Sequence, residues 1–376
     1  MFLKTVMERN QPLVRLGIEW QQNGVILPDT YLLDYDTILE NARSIKQAGD
    51  ANGVQNFFML KQIGRNPLIA RALTDMGYVG AVCVDFREAL TMVENQIPLG
   101  NVGHLVQIPR AALKKILRAK PVIVTVYTLE KAREISAVCT ELGLHQKLML
   151  RVLGEGDMLY SGQYGGFELQ ELDSAVRAIE AMPNVEVGGV CSFPCFLYDE
   201  AAQDILPMPN LRTVQTAAEM LRARGYRDLM LNTPSATCTH SIPMIAAAGG
   251  THGEPGHGLT GTTPYHAGHP DAEERPGYLY VSEVSHNLGD KAYCYGGGHY
   301  RRGHMKNALV GTTPENAKVV PVLPPDDSSI DYHFELQQNC PVSAAAVMAF
   351  RTQFFAKSAM LQWQQELKEH FNESFY

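Results

Sequence analysis

From about residue 30 to about residue 260 the chain repeats one pattern eight times: a short apolar, often β-branched run, then a stretch with apolar residues three to four apart. The runs are roughly Phe57 to Leu60, Val79 to Val84, Val102 to Gln107, Val122 to Val126, Leu148 to Val152, Val187 to Ser192, Leu229 to Asn232 and a weaker one from Ile245 to Thr251. Between them, Leu129, Ala132, Ile135, Val138 and Leu142 follow a helical period, as do Leu211, Val214, Ala218 and Leu221 before a stop at Gly225. This alternation predicts the α/β class and a (β/α)8 TIM barrel, built of eight parallel strands each followed by a helix. An open doubly wound sheet is the competing architecture, but no Gly-x-Gly-x-x-Gly follows the first run.

The pattern dissolves between Gly249 and Gly277, a stretch rich in Gly, Pro and His that reads as a site loop plus a linker. Beyond it, YLYVSEV, AKVVPVL and DYHFEL are short β-like runs, so the sequence predicts a barrel over 28–265. The remainder, 1–27 plus 266–376, is expected to form a second, mainly β domain with a helix around Val347 to Phe371.

With 32 basic and 40 acidic residues the net charge is −8 and no basic cluster stands out, which argues against nucleic acid and anionic membranes as partners. No apolar run approaches the ~18 residues of a membrane span. Lys4, Glu8 and Arg9 interrupt the start before any secretory pattern develops, and the seven scattered cysteines fit reduced thiols; together these predict a cytoplasmic protein.

Active sites of such barrels lie at the carboxyl ends of the strands, so the informative residues are the polar ones that follow each run. Lys61 ends the first, in FMLKQ, and Arg151 ends the fifth, in LMLRV. The seventh leads into TPSATCT (Thr233 to Thr239) and the eighth into GEPGHG (Gly253 to Gly258), small residues whose bare backbone N–H groups suit a phosphate. An amine, a phosphate cradle and a carboxylate, Glu254, in this order suggest pyridoxal 5′-phosphate. That cofactor needs a lysine for its Schiff base, donors for its phosphate and a partner for its pyridine nitrogen.

YLLDYDTILENARSIKQ (Tyr31 to Gln47), FFMLKQ and VCVDFREAL (Val82 to Leu90) resemble the barrel of fold-type III pyridoxal-phosphate enzymes, the group of alanine racemases and of ornithine and diaminopimelate decarboxylases. The whole chain is similar to the bacterial YhfX group within it. The resemblance implies that Lys61 forms the Schiff base and that Arg151 is a cofactor contact. It puts Glu254 against the pyridine nitrogen, and Gly256, His257 and Gly258 at the phosphate. In the decarboxylases' motif an arginine stands where this chain has His257, so Arg65 is a candidate to compensate. TPSATCT is similar to the phosphate loop of the D-serine dehydratase and D-threonine aldolase branch, which implies phosphate contacts at Thr233, Ser235, Ala236 and Thr237. At the sixth strand the family commonly has a histidine against the ring, whereas this chain offers Ser192, Phe193 and Pro194; Ser192 is kept as a cofactor contact.

A carboxylate partner strengthens the cofactor as an electron sink, which points away from strict alanine-racemase chemistry. The leading expectation is an amino-acid racemase or epimerase acting at Cα. The alternatives are a decarboxylase or D-amino-acid lyase, and a non-catalytic pyridoxal-phosphate carrier or regulator. A racemase needs a second acid/base, for which Tyr293, Cys294, Tyr295, His299 and Tyr300 are candidates; Cys294 is taken as the catalytic one, with Arg301 and Arg302 as possible receivers of a substrate carboxylate. Eight of the 12 histidines lie between His240 and His304, yet no His-x-Cys pair falls near Cys294 or Cys340, so no metal is expected. The resemblance implies a homodimer with shared sites; the substrate is an amino acid that the sequence does not specify.

Overall fold

A computed structural model describes residues 2–297, 299–300, 302–326, 328–353 and 360–362. The chain divides into two compact units. One comprises Arg43–Lys61 and Pro67–Gly256; the other comprises Met1–Ala42, Gln62–Asn66 and His257–Tyr376.

The first unit is the (β/α)8 barrel. Its strands, all parallel, are Gln55–Asn56 with Phe58–Met59 (first), Ala81–Cys83, Leu99–Val102, Ile123–Val126, Gln146–Leu153, Val185–Cys191, Met230–Asn232 and His252–Gly253 (eighth). The first strand is in two halves either side of Phe57. Gln55–Asn56 pairs with the eighth strand and Phe58–Met59 with the second, so this one strand closes the sheet. Phe57, Met59, Val82, Ile123, Met149 and Cys191 fill the interior as one apolar cluster. The helices start where the sequence supplies a cap. Asp85 accepts from the N–H of Glu88 ahead of Phe86–Glu94, and Thr128 from that of Lys131 ahead of Leu129–Leu142, which ends on Gly143 at φ 64°.

Two strands differ from the sequence expectation. The third spans Leu99–Val102 rather than 102–107, because Gly103 turns the chain at φ 90° with its α-carbon against the fourth strand; a Cβ there would lie 2.8 Å from the carbonyl oxygen of Thr125. The eighth is His252–Gly253, since Ile245 belongs to the helix Ile242–Ala247.

The second unit is an antiparallel β-barrel in the order Lys291–Tyr295, His333–Leu336, Lys318–Leu323, Asn307–Gly311, Ala345–Met348, Tyr278–Leu288, closed by pairing of the last strand with the first. Thr30–Asp34 extends it beside Tyr278–Leu288 and pairs in turn with Met360–Gln362. Helices Leu3–Arg9 and Gln11–Gln22 bury Phe2, Leu3, Val6, Leu13 and Ile18 on it, in a cluster with Leu279, Val281 and Val347. The helix expected around Val347 to Phe371 is not formed where the chain is described: Ala345–Met348 and Met360–Gln362 are strands, and 354–359 and 363–376 lie outside the described residues. Among the described residues no helix is long and apolar enough to cross a membrane.

Candidate functional site

Within the barrel unit, polar side chains gather at the carboxyl ends of the strands. Glu254, directly after the eighth strand, is 5% exposed and held from two sides. Asn101 of the third strand donates from Nδ2 to its Oε1 at 3.2 Å, and Asn232 of the seventh does so at 2.6 Å. Thr125 of the fourth strand donates to Asn101 Oδ1 at 2.7 Å, which fixes that amide's orientation. Oε1 is thereby filled by two N–H donors. Oε2 is buried without a hydrogen-bond partner. Such an atom is costly to bury unless something complements it.

Arg151, at the fifth strand, is fully buried. Its Nη1 donates to the Tyr127 hydroxyl at 2.8 Å and its Nη2 to the Gln163 carbonyl at 2.9 Å, while Nε has no partner. The guanidinium also lies 4.9 Å from the centre of the Tyr127 ring. Among the described residues no carboxylate comes within ion-pair distance of it. A buried cation bonded only to neutral oxygens calls for an anion from outside the chain.

His104 lies two residues past the third strand and is fully buried, with neither ring nitrogen hydrogen-bonded. Its Nε2 is 3.7 Å from Glu254 Oε2, and its ring meets the Phe193 ring edge-on at 5.6 Å. Burial lowers its pKa below the usual histidine range. Glu254 opposes that shift, whereas the charges of Arg151 and Lys61 reinforce it. Lys61, half-buried, opens the 3-10 turn Lys61–Ile63, two residues past the first strand. Lys61, Arg151 and Glu254, taken from three strand ends in the sequence, thus bear on one buried histidine.

The segment after the seventh strand supplies donors. Among the described residues no acceptor takes the backbone N–H of Ser235, Ala236 or Thr237, and Ala236 turns the chain at φ 51°. The Thr233 hydroxyl is buried and unpartnered. Ser235 donates its hydroxyl to the Phe196 carbonyl at 2.7 Å, and Thr237 Oγ1 accepts from the N–H of Glu254 at 3.2 Å. Ser192 Oγ accepts from Asn210 at 3.1 Å. Successive N–H groups with one residue in the left-handed region form an anion-binding concavity.

Arg65, His257, Gly258 and Cys294 belong to the β-barrel unit. There the His257 Nε2–H donates to the Thr352 carbonyl at 3.1 Å and its Nδ1 accepts from Gln62 at 3.3 Å, so both ring nitrogens are engaged within this unit. Cys294 is fully buried in a strand and burial pushes its thiol up to about 12, the environment of a small apolar residue rather than of a proton-transfer group. Arg301 lies outside the described residues.

Sequence reasoning passed over Asn101, His104, Tyr127 and Asn232. The one signal that would have found His104 was Gly103: once the third strand ends before that glycine, His104 becomes a strand-end residue like Lys61 and Arg151.

Comparison with known proteins agrees with this architecture. Residues 33–264 match the family model "Alanine racemase, N-terminal domain", and residues 279–373 match "YhfX-like, C-terminal domain". The chain is 42% identical over 357 residues to "Uncharacterized protein YhfX" of Escherichia coli (strain K12), covering 94% of this chain and 92% of that protein. Among solved structures, a D-threonine aldolase from Filomicrobium marinum superposes with TM-score 0.63 at 18% identity, covering 85% of this chain and 86% of its own. An alanine racemase of Clostridium difficile 630 gives TM-score 0.62 at 16% identity, with 87% of each chain covered. D-threo-3-hydroxyaspartate dehydratase from Delftia sp. HT23 gives 0.63 at 15% identity, with 89% and 95% covered. These three share the fold. The chain belongs to the alanine racemase N-terminal domain family and, through its C-terminal domain and its kinship over nearly the full length, to the YhfX group within it.

Proposed function

We propose that this protein binds pyridoxal 5′-phosphate in the barrel unit and acts at Cα of an amino acid, as a racemase or epimerase. The observation that carries this reading is a set of unmet demands in the barrel unit, among the described residues: a buried guanidinium without an anion, a buried carboxylate oxygen without a donor, and successive N–H groups without acceptors. The cofactor answers each with a phenolic oxygen, a ring nitrogen and a phosphate, and when bound it withdraws electrons from the bonds at Cα.

Each residue then has a task. Lys61 Nζ holds the cofactor covalently and afterwards takes or returns the Cα proton on its own face. Glu254 Oε2 would face the ring nitrogen, and Asn101 and Asn232 keep the carboxylate from turning. Arg151, aimed by its bonds to Tyr127 and Gln163, would hold the phenolic oxygen through Nε. The N–H groups of Ser235, Ala236 and Thr237 and the Thr233 hydroxyl would hold the phosphate, together with Gly256. The assembly is read as a homodimer that supplies the second acid/base.

The purified protein reconstituted with pyridoxal phosphate is expected to show a visible band near about 410 to 430 nm that Lys61→Ala lacks. Cα deuterium incorporation across a panel of amino acids then tests the reaction. A band-forming protein that exchanges no Cα proton would sink the racemase reading.

A further inference from the structure

We propose that His104 is a positioning residue for Glu254: its neutral ring donates from Nε2 to Oε2, and so holds that oxygen turned toward the ring nitrogen of the cofactor. The inference rests on the function proposed above.

The hydrogen-bond inventory of the carboxylate leads to it. Oε1 already accepts from two amides, so any further donor must come to Oε2. His104 Nε2 lies 3.7 Å from Oε2, and both atoms are buried without partners. Closing that gap to an ordinary N–H···O distance takes a movement of about 0.7 Å at the ring tip. An oxygen has room for two donors, which leaves one position on Oε2 for the ligand.

The surroundings set both the charge and the aim of the imidazole. Arg151 and Lys61 oppose a second positive charge, burial does the same, and Glu254 alone favours it. A neutral ring has a single N–H, and the carboxylate selects Nε2 to carry it, leaving Nδ1 as an acceptor. The main chain is pinned, since the Tyr127 hydroxyl donates to the His104 carbonyl at 2.6 Å and is itself held by Arg151. Gln107 clamps the same loop, donating to the Gly103 and Thr125 carbonyls at 3.0 Å each. Phe193 covers one side of the ring. The sites of Arg151 and Glu254 are therefore linked through Tyr127 and His104 rather than by direct contact.

Two experiments separate this role from a merely structural one. In the cofactor-free protein, 15N spectra of ring-labelled histidine are recorded, with the His104 signals assigned by their loss in His104→Gln. The Nε2–H tautomer at pH 7 is expected; an Nδ1–H tautomer or a charged ring overturns the proposal. The visible band is then titrated with pH in the reconstituted wild type, His104→Gln and His104→Leu. The glutamine, whose amide retains an N–H donor, is expected to keep the wild-type midpoint. The leucine is expected to move it by about one pH unit, a tenfold change in the proton equilibrium, and to weaken cofactor binding roughly tenfold. A leucine variant that titrates and binds as wild type refutes the role of His104 alone. Absence of a Lys61-dependent band in the wild type refutes the cofactor reading and this inference with it. Should the leucine variant fail to fold, the tautomer measured in the wild type decides.

Discussion

His104 and Glu254 each bury a polar atom whose one available counterpart is the other, Nε2 facing Oε2 at 3.7 Å. Leaving such an atom unmet costs about 1–3 kcal/mol. With Nε2 donating to Oε2, His104→Leu strands that oxygen, and in the cofactor-free protein it is expected to lower stability by about 1–3 kcal/mol, read from the urea midpoint at unchanged slope. An unchanged or higher midpoint would show that the imidazole gives the carboxylate nothing. Legibility at this scale followed charge. Lys61 and Glu254 stood out as charges just after short strands and Arg151 as a charge inside the apolar LMLRVL, whereas the amides Asn101 and Asn232 look in a sequence like ordinary polar positions. Only the closed barrel turns both amides onto one carboxylate.

At the scale of elements, the turn after the third strand decides where His104 goes. Gly103 combines a positive φ with a close approach to the Thr125 carbonyl, so an alanine there meets both backbone strain and a clash. Gly103→Ala is expected to cost about 1–3 kcal/mol or more in a denaturant titration and to weaken cofactor binding by displacing the His104 loop. Retention of both wild-type midpoint and affinity would mean that the turn relaxes without consequence. The same turn explains one error of the sequence reading. Val102, Leu105 and Val106 make an apolar run that continues past the true strand, and periodicity over so few residues does not show that Gly103 ends it. The helices were more legible because their signals are longer and their ends are marked. Ala132 and Ile135 are buried as their spacing predicts, and Thr128 and Gly143 bound the helix.

At the scale of the whole molecule, the buried histidines make stability depend on pH. His252, stacked on Phe57, has its pKa lowered by burial to about 4, and that of His104 is lowered as well. Burial thus favours the neutral form of both in the folded state, while the unfolded chain takes up protons at about pH 6.5. The contribution of His252 is therefore complete above about pH 6.5 and is lost as pH falls toward about 4, at up to about 1.4 kcal/mol per pH unit, and that of His104 is lost in the same direction. The urea midpoint is expected to drop through this window, and His252→Gln is expected to remove one histidine's share of the slope; an unaltered slope would show that other groups carry it. The way the first strand closes the barrel has a consequence for synthesis. Gln55–Asn56 finds its neighbour only when His252–Gly253 has been made, about 200 residues later, which at 5–20 residues per second is roughly 10–40 s. Throughout that interval the nascent chain carries an unpaired strand edge beside the lysine segment, open to mispairing until the eighth strand emerges.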